Sequence, residues 1–119
     1  MKNLKPIMFE NSKVPILLSK FAPIEIGAIT LFPFVFSRGE MSEETKRHET
    51  IHFQQYLETG VVGFLALYLW DYMVSSLKGV KGPAAYRSIR AEVEAWDNDK
   101  DEDYLQNRKR WAWIWKKKD

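Results

Sequence analysis

The sequence contains no cysteine, and this absence excludes several classes of protein. A disulfide-stabilised scaffold is ruled out, as are zinc and iron–sulfur sites with cysteine ligands. The chain also has no large net charge, because 18 Lys and Arg residues and 16 Asp and Glu residues give a net charge of only +2. Nucleic acid is therefore not expected as the main partner.

A chain of 119 residues is expected to form a single domain over 1–119. Its 45 % apolar and 29 % charged residues are ordinary proportions for a globular protein, so we expect an ordered core. The N-terminal stretch lacks the unbroken apolar region and the cleavage site of a secretory signal. Together with the lack of cysteine, this makes the cytoplasm the default location.

The first third of the chain is predicted to be extended. Residues 1–13 are assigned to an arm or a first strand. The run from Ile24 to Phe36 is rich in Ile, Phe and Thr and is bounded by Pro and Gly, a composition typical of β-structure. Pro33 within this run favours an edge strand or a bulge, because proline cannot donate a hydrogen bond to a sheet ladder.

The middle of the chain is predicted to be helical, so the fold is mostly α with a short extended segment on the N-terminal side. Ser42 is expected to cap the first helix, and Glu43 and Glu44 place negative charge in its first turn. Gly60 is expected to end it. A second helix is expected over 61–77.

Two further helices are predicted toward the C-terminus. Pro83 suits the first turn of a third helix, along which apolar residues recur at helical spacing as far as Trp96. The stretch 97–103 is expected to be a solvated acidic linker. A last helix is expected from Tyr104, at the start of a basic, aromatic tail at about 104–119.

The second helix also has to be compared with a membrane segment, because 61–70 consists of apolar residues and glycine. Ten helical residues rise about 15 Å, half of a hydrocarbon core of roughly 30 Å. We therefore interpret it as a buried core helix. The alternative is peripheral membrane association through 61–77 and the basic tail 108–118, since Trp70 and Lys78 suit a headgroup boundary.

The strongest chemical signal lies in the first helix, where the sequence reads His48-Glu49-Thr50-Ile51-His52, an H-E-x-x-H motif. Residues four apart share a helix face, so His48 and His52 can direct ring nitrogens at one metal ion. Glu49 lies beside the open coordination position, where it can accept a proton from bound water. The motif therefore predicts one zinc ion per chain.

A third ligand has to be a carboxylate or water, because no cysteine and no further histidine are present. The candidates are Asp71, Glu92, Glu94 and the acidic stretch 97–103. Glu92 lies at the edge of the apolar stripe on the third helix, where an unpaired carboxylate would be costly without a cation. Glu94 lies about 200° farther round that helix, so both cannot bind one ion without distortion. The alternative for Glu92 is a surface salt bridge to a neighbouring arginine.

Several other polar residues are candidates for supporting roles. Gln55 lies on the same helix face as His52, where it can orient a ligand or the water, and a surface glutamine is the alternative. A developing oxyanion needs a hydrogen-bond donor in addition to the metal. The candidates for this donor are Tyr86, Arg90, Tyr104 and Arg108, while Gln55 and Glu94 are candidates for supporting contacts around the metal ligands.

The order of these motifs resembles the gluzincin branch of zinc peptidases, in which H-E-x-x-H is followed by a ligand Glu on another helix. Peptidases related to the CAAX prenyl proteases have E-x-x-A-D as the second motif. Here Glu92-Val93-Glu94-Ala95-Trp96 matches the Glu and the Ala but has Trp96 in place of Asp.

A closer resemblance is to a group of small zincin-like metallopeptidases of bacteria and phages. They show H-E-x-I-H-x-x-Q-Q, an aromatic-rich apolar helix, F-E-x-E-A-Y and then Tyr-Leu-x-x-Arg-Lys. The corresponding segments here are 48–55, 91–96 and 104–109, and the resemblance covers about 28–110.

That resemblance implies a minimal zincin-like α+β fold, in which the H-E-x-x-H helix packs against a second ligand-bearing helix. It implies a zinc site of His48, His52 and Glu92 with Glu49 as the general base. The implied function is a zinc-dependent hydrolase, specifically a metallopeptidase acting on a peptide or protein. The alternative is a zincin-like protein that binds without catalysis, or that docks on a membrane or a partner.

Overall fold

The computed structural model describes residues 4–21 and 26–114. The fold is mostly helical, with a small three-stranded mixed sheet near the N-terminus, as predicted. The strands are β1 (Ile7–Phe9), β2 (Ala28–Leu31) and β3 (Phe34–Ser37). The helices are α1 (Val14–Ser19), α2 (Glu43–Leu77), α3 (Gly82–Arg87), α4 (Arg90–Asn98) and α5 (Tyr104–Asn107).

The sheet has β3 at its centre, parallel to β1 and antiparallel to β2. The extended run predicted over 24–36 is therefore a hairpin, and its first two residues, 24 and 25, lie outside the described residues. Pro33 lies in the turn of this hairpin and not in an edge strand or bulge. There its carbonyl accepts a hydrogen bond from the backbone N–H of Ile7 at 3.0 Å, which ties β1 to the hairpin.

Helix α2 begins where the cap signal predicts, and it is interrupted at Gly60, the residue predicted to end the first helix. The Ser42 hydroxyl accepts a hydrogen bond from the backbone N–H of Thr45 at 3.1 Å, which caps the helix. Gly60 has φ 74° and ψ 169°, a left-handed φ that glycine adopts without a steric penalty. This residue divides α2 into two parts, which we call the site segment (43–59) and the apolar segment (61–77).

The single helix predicted after Pro83 is wrong, because the chain forms two helices separated at Ile89. Ile89 is extended, with φ −63° and ψ 131°. Next to the break, the hydroxyls of Ser88 and Ser75 lie 2.6 Å apart, and the backbone N–H of Arg90 donates to Asp71 Oδ2 at 3.1 Å. The Asp71 carboxylate thus takes the place of a helical acceptor for the N–H of Arg90, the first residue of α4.

The helix predicted for the C-terminal tail ends earlier than expected. α5 stops at Asn107, and Arg108 is extended with φ −63° and ψ 132°. The segment that follows is anchored to the protein because Trp113 is fully buried and its ring packs 5.7 Å from that of Phe64. Residues 115–119 of the predicted helix lie outside the described residues.

The core is aromatic and sits where the apolar segment, α3, α4 and the tail meet; it contains Tyr56, Phe64, Ile89, Ala91 and Trp113. The prediction that 61–77 is a buried core helix is wrong, since only one side of it packs on this core. By length and composition, α2 could cross a membrane, a property that it shares with core helices of soluble proteins.

Candidate metal centre

Three buried side chains converge between the site segment and α4. His48 Nε2 lies 3.3 Å from Glu92 Oε1, and His52 Nε2 lies 3.1 Å from Glu92 Oε2. The possible ligand atoms of the three residues all lie within 4.8 Å of one another, so the group could hold a metal ion. Of the four third-ligand candidates, Glu92 is the one that joins the two histidines.

The local structure explains why these residues meet. His48 and His52 are one helical turn apart and lie on the same side of the site segment. Glu92 stands in the first turn of α4, and the restart of the chain at Ile89 directs that turn toward the site segment. The break at Ile89, where the sequence predicted a continuous helix, therefore positions the carboxylate of Glu92.

The donor set fits a metal ion on two counts. Tetrahedral zinc ligands at about 2.1 Å from the ion are about 3.4 Å apart, close to the two nitrogen–oxygen separations observed here. His52 Nε2 and Glu92 Oε1 are also buried without a well-directed hydrogen bond among the described residues. Buried polar atoms of this kind are costly unless an ion or proton satisfies them.

Outer contacts orient both imidazoles. His48 Nδ1 lies 3.0 Å from Asp99 Oδ2, and His52 Nδ1 lies 2.8 Å from Gln55 Oε1. Because both oxygens act as acceptors, each Nδ1 carries the proton and each Nε2 is left for a metal. The surface alternative for Gln55 is wrong, since the residue is fully buried.

Asp99 is a functional candidate that the sequence did not single out. The stretch 97–103 was expected to be solvated, but Asp99 is 2 % exposed and contacts His48. Its backbone carbonyl also accepts a hydrogen bond from Arg47 at 2.6 Å. In the sequence, Asp99 is one of several acidic residues that follow the helix carrying Glu92, and nothing there distinguishes Asp99 from its neighbours.

Behind Gln55 lies a second layer of buried charge. Gln55 Nε2 donates to Glu94 Oε1 at 2.9 Å, and Glu94 in turn accepts hydrogen bonds from Tyr104 and Arg108. Arg108 also makes two hydrogen bonds to Glu58, of 2.7 and 3.0 Å. Glu94 is therefore connected to His52 through Gln55 and does not point at the metal position.

Three of the four predicted oxyanion donors do not line the site. Arg90 is bonded to Asp71, with Nε 2.9 Å from Oδ2, while Tyr104 and Arg108 are held by Glu94. These side chains make structural contacts away from the cleft, so the geometry gives no support to their prediction as donors to the substrate. The predicted alternative of a salt bridge from Glu92 to a neighbouring arginine is also wrong, since Glu92 faces the histidines.

Glu49 is held beside the ligand cluster by the edge strand β2. Its Oε1 accepts a hydrogen bond from the Thr30 hydroxyl at 2.8 Å, and its Oε2 lies 4.0 Å from His48 Nε2. The Thr30 carbonyl accepts a hydrogen bond from Tyr56 at 3.0 Å, which fixes the strand against the helix. Nothing in the sequence indicates the role of Thr30, because its contact with Glu49 depends on how β2 packs against the helix.

Two tyrosines stand on the opposite side of the cluster. Tyr68 donates to Glu92 Oε2 at 2.7 Å, and Tyr86, the fourth predicted donor, lines the cleft above it. Burial and the negative charge of Glu92 raise the pKa of both phenols above their ordinary range, so both keep their protons. Tyr68 was missed because it lies in the middle of an apolar run.

The cluster is electrostatically coupled. Burial favours the neutral imidazole of His52, but the charge of Glu92 outweighs this effect and raises its pKa to about 9. Burial also opposes protonation of His48, yet contact with Glu92 raises the pKa of that residue. For Glu92, burial favours the neutral acid, but the two histidines hold the pKa of its carboxyl well below its ordinary range. The Glu92 carboxylate therefore favours the charged form of both imidazoles.

The cluster lies in a cleft of about 870 Å³. One wall is formed by 26–31, which includes β2, and the other by Leu65, Leu69 and Tyr72 of the apolar segment. Trp96 also lines it, with Arg87 stacked 4.2 Å from the centre of its ring. A cleft of this size with a few polar groups at its base is typical of a ligand site.

Comparison of the chain with protein-family models, with curated proteins and with solved structures finds no significant match.

Proposed function

We propose that the protein is a zinc-dependent hydrolase that cleaves peptide bonds. The observation that carries the proposal is the grouping of His48 Nε2, His52 Nε2 and the Glu92 carboxylate, with Glu49 beside them at the base of a cleft. Catalytic zinc sites commonly have three protein ligands and leave one position open for water or substrate. A structural zinc site would have a fourth protein ligand and no use for Glu49.

The ligand types favour zinc. Two imidazole nitrogens and one carboxylate oxygen make a donor set that zinc accepts in tetrahedral geometry. When bound, zinc would lower the pKa of the attacking water toward neutrality and polarise the substrate carbonyl. The hydrogen bonds to Asp99 and Gln55 would keep both rings in the tautomer that presents Nε2 to the ion.

Glu49 has the position of a general base. Thr30 holds one of its carboxylate oxygens, and the other is directed toward the ligand cluster. In this arrangement Glu49 accepts a proton from the attacking water and later transfers it to the leaving amine. Its burial limits the water that competes for this proton.

Tyr86 is the best placed of the predicted donors to the substrate oxyanion. It lines the cleft, it stays protonated, and its side chain contacts Glu92 and not the Glu94 network, so its hydroxyl stands beside the metal position. A phenol aimed at a developing negative charge stabilises the transition state more than the ground state. Tyr68 is committed to Glu92 and so orients the ligand.

The same features support membership in the group of small zincin-like metallopeptidases that the motifs resemble. The H-E-x-x-H helix packs against α4, which carries the third ligand candidate, and an edge strand lies along the cleft. We propose that this is a minimal zincin-like arrangement, with a peptide or protein as substrate.

Metal content is the first test. Elemental analysis of the untagged protein should give one zinc per chain, while Glu92→Ala should lose most of it. Asp97→Ala, which removes an exposed carboxylate from the same helix, should bind zinc as the wild type does. Absence of zinc from the wild type after incubation with excess metal would overturn the proposal.

Turnover separates the enzyme from a non-catalytic zincin-like protein. Wild-type protein should cleave a mixed library of quenched fluorescent peptides, and Glu49→Gln should keep its zinc and lose at least a hundredfold in rate. Full zinc occupancy with no cleavage by the wild type would favour the non-catalytic alternative.

A further inference from the structure

The apolar segment carries a continuous exposed surface, which we call the apolar face and which consists of Val62, Leu65, Leu69 and Met73. Their side chains are 82 %, 43 %, 61 % and 54 % exposed. Steps of three and four residues place them on one side of the helix. Large contiguous apolar surfaces are uncommon on soluble monomers and mark sites of interaction.

Charge is absent from this face. The one acidic residue between Gly60 and Lys78 is Asp71, which lies on the opposite side of the helix, fully buried and bonded to Arg90. Phe64 and Ser75 are buried on that same opposite side. The helix therefore turns its acidic side chain inward and its aliphatic side chains outward, the reverse of an ordinary surface helix.

Basic residues stand at both ends of the apolar segment. Lys78 and Lys81 are exposed just beyond its C-terminal end. At the other end, the backbone N–H of Trp111 bonds to Glu58 at 2.9 Å, and this contact brings the exposed Lys109 and Arg110 next to the start of the segment. Aliphatic side chains flanked by lysine and arginine match the surface of a bilayer that contains anionic lipid.

We propose that the apolar face docks on the surface of an anionic lipid bilayer, with the helix lying parallel to the membrane plane. Trp70, which is exposed beside this face, suits the headgroup boundary. The segment does not cross the bilayer, because α3 and α4 pack against its other side and carry the exposed Arg87 and Asp97. Those charges would be costly in hydrocarbon.

Docking in this orientation places the cleft next to the lipid. Leu65 and Leu69 belong to the apolar face and also line the cleft wall, so the mouth of the cleft borders the docked surface. If the protein is the peptidase proposed above, its substrates are peptide segments held at a membrane surface. Only this statement about substrates rests on the proposed function.

Vesicle flotation tests the docking. Full-length protein should float with vesicles of phosphatidylcholine and phosphatidylglycerol, and less so with phosphatidylcholine alone. Higher salt should weaken the binding, because it screens the lysines and arginine. The double variant Val62→Glu/Met73→Glu leaves the cleft wall unchanged, and its vesicle affinity should fall at least about tenfold.

Two further variants keep the test specific. Leu4→Glu adds the same charge at another exposed leucine outside the apolar face, and it should float as the wild type does. Lys78→Glu/Lys81→Glu should lose the preference for anionic lipid while its unfolding temperature stays unchanged, so that a folding defect cannot account for the loss.

The alternative occupant of the face is a second copy of the chain. A dimer in sedimentation velocity that Val62→Glu/Met73→Glu dissociates, without vesicle binding by the wild type, would overturn the docking proposal. Failure of the wild type to float at low salt would do the same. Zinc content measured on the same samples separates the two proposals, since protein that floats without zinc counts against the hydrolase alone.

Discussion

The Nδ1 atom of His48 lies 3.0 Å from Oδ2 of Asp99, a residue 51 positions farther along the chain. This contact joins the site segment to the turn that follows α4. Because Asp99 accepts the Nδ1 proton, the Nε2 atom of His48 is left facing Glu92. A carboxylate in this outer position also raises the basicity of the imidazole that it contacts.

We predict that Asp99→Ala weakens zinc binding by about ten- to a hundredfold, because the ring of His48 loses the partner that orients it. The dissociation constant is measured by competition with a chromophoric chelator. Asp97→Ala, two residues earlier and exposed, is the matched control and should bind zinc as the wild type does. Equal affinities in the two variants would show that Asp99 has no role in the site.

A second prediction concerns Thr30, which holds Glu49 from the edge strand. Thr30→Val keeps the side-chain volume and removes the hydroxyl that donates to Glu49. We expect kcat to fall roughly ten- to a hundredfold, because a catalytic group that is displaced by a fraction of an ångström loses its alignment. Zinc content and KM should change little.

The conservative variant distinguishes this positioning role from a general effect on packing. Thr30→Ser restores the hydroxyl but removes the methyl group, so it should recover most of the lost kcat even where it lowers the unfolding temperature. Equal kcat losses in Thr30→Ser and Thr30→Val would contradict the proposed role of the hydrogen bond.

Local signals in the sequence predicted several features correctly. The cap at Ser42 and the bend at Gly60 follow from the chemistry of single residues, and the shared face of His48 and His52 follows from helical spacing. Glu92 was favoured by its place at the edge of an apolar stripe and was selected among the candidates by the resemblance of its motif. Each inference needed only residues close together in the chain.

The errors concern contacts between residues far apart in sequence. Asp99 and Thr30 reach the site through packing of α4 and β2, which periodicity does not encode. The break at Ile89 is stabilised by side chains of α2, which local propensity does not include, so the sequence over 83–96 predicted one continuous helix. The apolar segment was expected to be buried because composition alone does not tell a core helix from an exposed one.

The third prediction is a pH dependence of the metal-free protein. The pKa of His52 is raised from 6.5 to about 9, so its contact with Glu92 contributes stability that is complete below pH 6.5 and is lost as the pH rises toward 9. The pKa of Glu92 is lowered in the folded protein. Its ionised carboxylate therefore contributes stability above about pH 4.5, the pKa of Glu92 in the unfolded chain, and this stability is lost at lower pH. Unfolding temperatures of the metal-free protein should therefore fall between pH 6.5 and 9.

Zinc should change this profile, because it replaces the proton on His52. The increase in unfolding temperature on adding zinc should be larger at pH 8 than at pH 6, where the ion competes with a bound proton. In His52→Ala, which lacks both the titrating group and a proposed ligand, zinc should raise the unfolding temperature little at either pH. A zinc effect that is independent of pH over this range would contradict the coupling.

The last prediction concerns Arg108, whose guanidinium joins two buried carboxylates. Its Nη1 lies 2.7 Å from Glu58 Oε2 and its Nε lies 2.6 Å from Glu94 Oε2. Arg108→Met would leave both carboxylates buried without their cation, and we expect the free energy of unfolding to fall by about 3–5 kcal/mol. Lys109→Met removes an exposed charge at the next position, and its cost should be within about 0.5 kcal/mol. Urea unfolding of the metal-free proteins measures both values without a contribution from zinc.

Because Glu94 also accepts a hydrogen bond from Gln55, which contacts His52, Arg108→Met should weaken zinc binding as well. If Arg108→Met proves as stable as Lys109→Met, the two carboxylates take up protons or water at little cost. The tail would then not hold the site in place.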